Sequence, residues 1–221
     1  VKKGAWGSPY FRGPARPDGP MGASGSFDTF ARHAGKPLPV PSMILGTAGA
    51  RGLPAEEIMK HLDRANAADG TFPSGLVYLQ TNGNVRSRCR AWQFPPVCAR
   101  LNRGGVACAT GADRPDRKAS LVGYLTGEAH VPLGDLPPLA PGSMAEHLTS
   151  FAARFNTRKQ MKITSWLRAG AAGTAGTVVE PYAIWTKFPN AAFYVHYAGG
   201  CSMAESFFQA VACPLQLLLV G

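Results

Sequence analysis

Along most of this chain, short β-type apolar runs alternate with helix-type segments, and no other feature restricts the fold as much. SMILGTAG reads as a short strand. LPAEEIMKHLDRANAADG is the clearest helix. Pro54 suits its first turn, Glu56 and Glu57 suit its positive end, and Ile58, Leu62 and Ala65 share one face. SGLVYLQT, GVACAT and SLVGYLTG follow as strands, with a helix finishing between residues 100 and 106. GDLPPLAPGS reads as a loop and AEHLTSFAARF as helical. KQMKITSWLRAG is a helix, TAGTVVEPY a strand, MAESFFQAVA a helix and PLQLLLVG a last strand. Strands separated by helices imply an α/β fold with a mainly parallel sheet flanked by helices. Strands at 75–81, 177–181 and 217–220 are expected in one such sheet, with helices at 56–67, 160–169 and 202–211.

The joint WLRAGAAGTAGTVVEPY decides whether a nucleotide could bind. Phosphate cradles run strand, glycine loop, helix, because the helix N-terminus supplies donors and a positive dipole. Here the order is helix, glycines, strand, and neither GxGxxG nor GKS/GKT occurs. Gly170 reads as a helix C-cap. Gly173 and Gly176 allow close approach as the strand enters the sheet. No cofactor is implied. The strand end it feeds, Glu180-Pro181-Tyr182, is the one part of the joint that could belong to a site.

A hydrophobic content of 45% in 221 residues is enough for a core, and 26 Gly with 19 Pro indicate many loops on an ordered body. No apolar run approaches the roughly 20 residues of a membrane-spanning helix. The chain begins at Val1, so it is expected to be processed from a longer precursor or to be a fragment. The net charge of +10 is uneven: residues 1–120 hold 17 Lys/Arg against 8 Asp/Glu, and residues 121–221 hold 6 against 5. VRSRCRAW, with Arg86, Arg88 and Arg90, is one basic stretch. Such a face suits an acidic protein or an anionic surface, or serves only to keep the protein soluble. Nucleic acid is disfavoured, because no recognition-module pattern accompanies the charge.

Residues 1–42 are rich in Gly, Pro and Ser, with aromatics at Trp6, Tyr10, Phe11, Phe27 and Phe30. They read as an extended arm with little helix or strand, ahead of an α/β domain at 43–221. Too apolar-poor to build a core, the arm must lie on something, with those aromatics as anchors, either on its own domain or, as the more expected cover, on another chain. Five cysteines, Cys89, Cys98, Cys108, Cys201 and Cys213, include no CxxC, so no metal site is implied. In an oxidising compartment two of Cys89, Cys98 and Cys108 could pair. Otherwise all five are small buried hydrophobes. His61 reads as a surface or interface residue.

PGSMAEHLTSF, WLRAGAAGTAGTVVEPY, KFP, HYAGGCSMAESFFQAV and LLLVG, with PYF, PSMILGT, ANAADGTFPSG and VRSR upstream, are similar to a bacterial protein family usually bearing export signals and having no assigned activity. That family looks distantly related to the caspase–gingipain group of cysteine peptidases. The resemblance covers the chain from about residue 8. Family members have a further strand–helix segment before this region and an acidic-Pro-Leu ending after it, so the chain resembles a trimmed version. The resemblance implies a parallel sheet flanked by helices and an extracytoplasmic location, in the periplasm or cell envelope. It also implies a thiol nucleophile and a histidine at strand ends.

The dyad does not carry over. A His-Gly is expected where SLVGYLTG ends in Thr126-Gly127, and a cysteine where AEHLTSF offers Thr149 and Ser150. Cys201, five residues after His196 and at a helix start, is the best remaining thiol, since a helix N-terminus lowers a thiol pKa. It is otherwise a capping-position residue beside Ser202. His147 is a hydrogen-bonder or a base, and Glu180 a loop-ordering residue or a catalytic acid. Two readings result. One is a non-catalytic structural or accessory subunit of a larger extracytoplasmic assembly, with other protein subunits as partners. The other is a thiol- or hydroxyl-dependent hydrolase using Cys201 or Thr149/Ser150 with His147 or His196.

Overall fold

Runs that are apolar on both faces cannot sit at a solvent surface, and this chain buries them side by side. In the computed structural model, which describes residues 7–34, 42–49, 51–71 and 74–221, four strands make a parallel sheet. They are β1 (Leu76–Gln80), β2 (Cys108–Gly111), β3 (Leu121–Thr126) and β4 (Leu139–His147), ordered β2-β1-β3-β4. The edge strand β2 is only partly buried. All six residues of β3 are buried. Two more strands, β5 (Thr174–Thr177) and β6 (Leu217–Val220), pair antiparallel. Along the chain the helices are α1 (Phe27–Ala34), α2 (Ala55–Ala68), α3 (Val85–Arg88), α4 (Phe94–Arg103), α5 (Thr164–Arg168), α6 (Phe193–Ala198) and α7 (Met203–Ala210).

Alternate residues of β1 point to opposite faces. Val77 and Leu79, with Met144 of β4, pack under Phe94, Val97 and Leu101 of α4, Phe193 of α6 and Phe207 of α7. Tyr78, with Leu121, Tyr124 and Ala145, packs against Trp166 of α5. A third cluster joins Leu53, Ile163, Leu167 and Val220 with Ile58 of α2. The expected α/β class with a helix-flanked parallel sheet is therefore present.

Several expectations are corrected. The strands expected at 75–81, 177–181 and 217–220 do not share one ladder: β5 and β6 form their own, and β6 runs antiparallel. One parallel bridge, Met144 to Gly173, links β4 to that pair, and another ties Ile44 to Val220. The strand foreseen at 177–181 lies earlier, because Thr177 turns its hydroxyl onto the Thr149 and Ser150 carbonyls (2.9 and 2.8 Å) and the chain leaves the ladder there. The helix foreseen at 160–169 shrinks to α5, since Gln160 has φ +64°, outside any right-handed helix. AEHLTSFAARF is not helical. Pairing of Ala145, Glu146 and His147 with Tyr124, Leu125 and Thr126 outweighs its local preference, and β4 begins inside the expected loop.

The glycine joint resolves as punctuation. Gly170, at φ +108°, follows α5. Its N–H donates to the Leu167 carbonyl (3.1 Å) and that of Ala171 to Trp166 (3.0 Å), a Schellman ending. A Cβ at Gly173 would collide with the Met203 thioether and one at Gly176 with Ile163, so both permit close approach.

The arm is not wholly extended, because α1 forms within it. Its anchors lie on its own domain. Tyr10 is buried, edge-on to Phe27 (4.8 Å) and Phe208 (6.2 Å), and Phe11 leans on Trp185 (6.3 Å). The Ser8 and Arg12 N–H groups donate to the carbonyls of Ala212 and Gln209, each at 2.8 Å. Trp6 and the Phe30 side chain lie outside what is described. A disulfide joins Cys98 of α4 to Cys108 of β2, leaving Cys89, Cys201 and Cys213 free.

Candidate functional site

Open parallel sheets gather their sites beyond the carboxyl ends of the strands. β3 and β4 end as neighbours, with Thr126 paired to His147. These are the two ends at which the peptidase resemblance expects a histidine and a cysteine. His147 is fully buried, and both ring nitrogens are engaged. Nδ1 accepts the indole N–H of Trp166 at 2.8 Å, which leaves the ring proton on Nε2, facing the Met161 carbonyl at 3.1 Å. Burial drives its pKa down to about 3. An imidazole fixed in this way offers no lone pair to a nucleophile. Thr149 and Ser150 are also buried, and neither bonds to His147.

Beside His147, Glu146 is buried against Arg90, with Nη1 2.5 Å from Oε2 and both side chains essentially inaccessible. The guanidinium also donates to the carbonyls of Thr126 (2.6 Å) and Pro189 (3.3 Å), tying the end of β3 to the approach to α6. Burial raises the Glu146 carboxyl to about 7, with Arg90 pulling the other way. Arg90 is thus an interior clamp and not part of a basic face. Arg86 is half-buried and Arg88 exposed. A second network fills the ends of β1 and β3. Arg114 grips Glu128 with two bonds (2.9 and 2.6 Å), and Gln80 Oε1 accepts from Tyr124, Thr126 and Arg114. Burial pushes the Tyr124 phenol up to about 12. Sequence reading missed both networks. Their one signal was a charged or amide residue closing an apolar strand, as in LVYLQ and SMAEH.

Cys201 and His196 are brought close along the backbone but not as a pair. The Cys201 N–H bonds to the His196 carbonyl (3.2 Å). The thiol faces the Gly25 carbonyl (3.8 Å) and the Gln209 amide (3.4 Å), while His196 Nδ1 meets Ser24 Oγ (2.9 Å). Cys201 precedes the N-cap, Ser202, whose capping box with Glu205 uses the exposed donors of α7. Its thiol is accordingly raised by burial, not lowered. Burial lowers His196 to about 4. Both side chains serve the arm: Gln209 brackets the Gly25 peptide with its amide N–H (2.9 Å) and oxygen (3.3 Å), and Glu205 takes the Phe27 N–H (3.2 Å). Ser24–His196, a contact that sequence reading did not foresee, clasps the arm to α6.

A cavity of about 490 Å³ lies near the opposite, amino-terminal strand ends, lined by Val77, Val122, Tyr194, Tyr197, Cys201 and Met203 among others. Of the candidate catalytic residues, Cys201 alone reaches it. Glu180 is exposed and accepts the Tyr182 N–H (2.9 Å), which orders a turn. His61, expected as a surface or interface residue, is instead fully buried on the inner face of α2, and burial lowers its pKa. Among the described residues no group of His, Cys, Asp and Glu could hold a metal, and no helix is long and apolar enough to cross a membrane. Comparison with protein-family models, curated proteins and solved structures finds no match to this chain.

Proposed function

We propose that the chain is a non-catalytic accessory subunit of an extracytoplasmic assembly, built on a peptidase-like α/β domain of the caspase–gingipain kind. The observation that carries this reading is the closure of His147. At the strand end where a dyad would work, the imidazole is held between the Trp166 indole and the Met161 carbonyl. Thr126 and Glu146 beside it are buried. Adjacency of the β3 and β4 ends supports the peptidase-like ancestry. The Cys98–Cys108 disulfide supports an oxidising location.

The competing reading, a thiol- or hydroxyl-dependent hydrolase, has one observation in its favour: the Ser24–His196 contact at 2.9 Å. An imidazole held to about pKa 4 is a weak base at neutral pH, and that argues against it. Treating the folded protein with a fluorophosphonate and an iodoacetamide probe at pH 7 separates the two. Ser24, Thr149, Ser150 and Cys201 should stay unlabelled, and Cys201 should react only after unfolding. Rapid selective labelling of any of them would overturn the non-catalytic reading. The subunit half is checked by size: mild extraction from the native source should yield particles well above 23.3 kDa, and a lone monomer would refute it.

A further inference from the structure

The loop after β4, residues 148–163, carries Arg154, Arg158, Lys159 and Lys162 and no Asp or Glu. Arg51 joins it from the other side, its Nη1 donating to the Phe155 carbonyl (2.9 Å) and its own carbonyl accepting from Thr164 (3.2 Å). Lys162 holds the loop together by donating to the carbonyls of Phe151 (2.7 Å) and Lys159 (2.6 Å). Arg154 lies over the Phe151 ring at 5.5 Å. Among the described residues none of these five cations is in an ion pair. Burial, with Arg51 and Arg154 alongside, holds the Lys162 ammonium below the ordinary lysine value. Clustered like charges repel, and an anionic surface would relieve that repulsion.

This loop abuts the end of β5, where the Ala153 N–H donates to the Thr177 carbonyl (3.1 Å). Beyond Thr177, Val178, Val179, Tyr182 and Ile184 stand exposed, joined by Leu215, whose neighbour Gln216 accepts the Val178 N–H (3.1 Å). Tyr182 is 70% accessible and Leu215 64%. Glu180 is the sole acid within 178–184. Its bond to the Tyr182 N–H holds Tyr182 at φ +55°, with the ring in solvent. None of these side chains lines the cavity that Cys201 reaches. Protruding aliphatic and aromatic groups flanked by long cations suit a yielding, negatively charged surface better than a partner needing a socket.

We propose that this end of the molecule docks peripherally on an anionic lipid bilayer. Val178, Val179, Tyr182, Ile184 and Leu215 enter the headgroup–acyl boundary, and Arg154, Arg158 and Lys159 meet the lipid phosphates. The docking does not depend on whether the strand ends are catalytic. Co-sedimentation of the full chain with phosphatidylcholine vesicles, with and without phosphatidylglycerol, tests it. Binding is expected only with phosphatidylglycerol, and should fall as salt is raised. Arg154→Glu with Lys159→Glu should lower partitioning by at least about tenfold, and Val179→Ser with Tyr182→Ser by a similar factor. Arg103→Glu with Lys118→Glu, the same charge change at exposed sites elsewhere, should leave it unchanged, with circular dichroism verifying every fold. The proposal is overturned by absence of binding to phosphatidylglycerol vesicles. Equal loss from all three variant pairs would also overturn it, as would binding of polyglutamate without binding of vesicles, which would assign the surface to an acidic protein.

Discussion

His147 and Arg90 do structural work at the residue scale. His147→Ala should leave the Trp166 indole N–H and the Met161 carbonyl unpaired in the interior, at a cost of about 1–3 kcal/mol in urea unfolding. A change near zero would mean that the ring is not the clasp described. Arg90→Met is expected to be more severe, about 3–5 kcal/mol, because it strands the Glu146 carboxylate in the interior. Arg90→Met with Glu146→Leu should recover most of that loss, and additivity of the two single effects would show that the ion pair is not the coupling. Neither residue's role could be read from its neighbours in sequence. Arg90 sits in a string of arginines that reads as surface, and Glu146–His147 interrupts an apolar run in a way that mimics a helix.

At the scale of elements, the ending of α5 depends on one backbone angle. Gly170→Ala, at φ +108°, should cost about 1–2 kcal/mol by thermal or urea unfolding. Gly134→Ala, where an added Cβ meets nothing within 4 Å, serves as the control and should stay within about 0.5 kcal/mol. Equal effects would remove the Schellman account. That cap was legible in WLRAG, as were β1, β3 and β6, whose apolar runs are bounded by Gly, Pro or polar residues. The direction of β6 was not legible, because antiparallel pairing with β5 is set by how α6 and α7 return the chain, not by anything within LLLV. β4 was missed because its partner supplies the preference: residues 145–147 extend only when Tyr124, Leu125 and Thr126 lie beside them. The arm's helix α1 begins where its first N–H finds the Glu205 carboxylate, a contact 178 residues away that no local window contains.

For the whole molecule, buried titratable groups fix how stability responds to acid. His147 and His196 fold as neutral rings with pKa values of about 3 and about 4 against an ordinary 6.5, and His61 is lowered in the same direction. Their contribution is full above pH 6.5 and is lost as pH falls toward the folded values, because the unfolded chain then takes up protons that the folded one refuses. Glu146, raised from 4.5 to about 7, acts oppositely. Its contribution is full below pH 4.5 and fades as pH rises through about 7. Between these limits the two imidazoles of His147 and His196, with His61 acting in the same direction, outweigh one carboxyl, each fully titrating group contributing about 1.36 kcal/mol per pH unit. The melting temperature should therefore be lower at pH 5 than at pH 7; an equal or higher value at pH 5 would contradict the neutral burial of the histidines. The cross-link between Cys98 and Cys108 also governs how the protein behaves in a crowd of its own copies. β2 is the outermost member of the parallel sheet and, among the described residues, pairs with β1 alone. On its far side the Asn102 side chain of α4 covers the Cys108 N–H and carbonyl (2.8 and 3.1 Å), and loss of that cover would open an edge that a stray strand could adopt as a template for stacking. The staple holds the first residue of that strand to α4 and keeps it from peeling away. Concentrated oxidised protein should stay clear, whereas the same protein under reductant should become turbid and nucleate fibrillar or amorphous deposits.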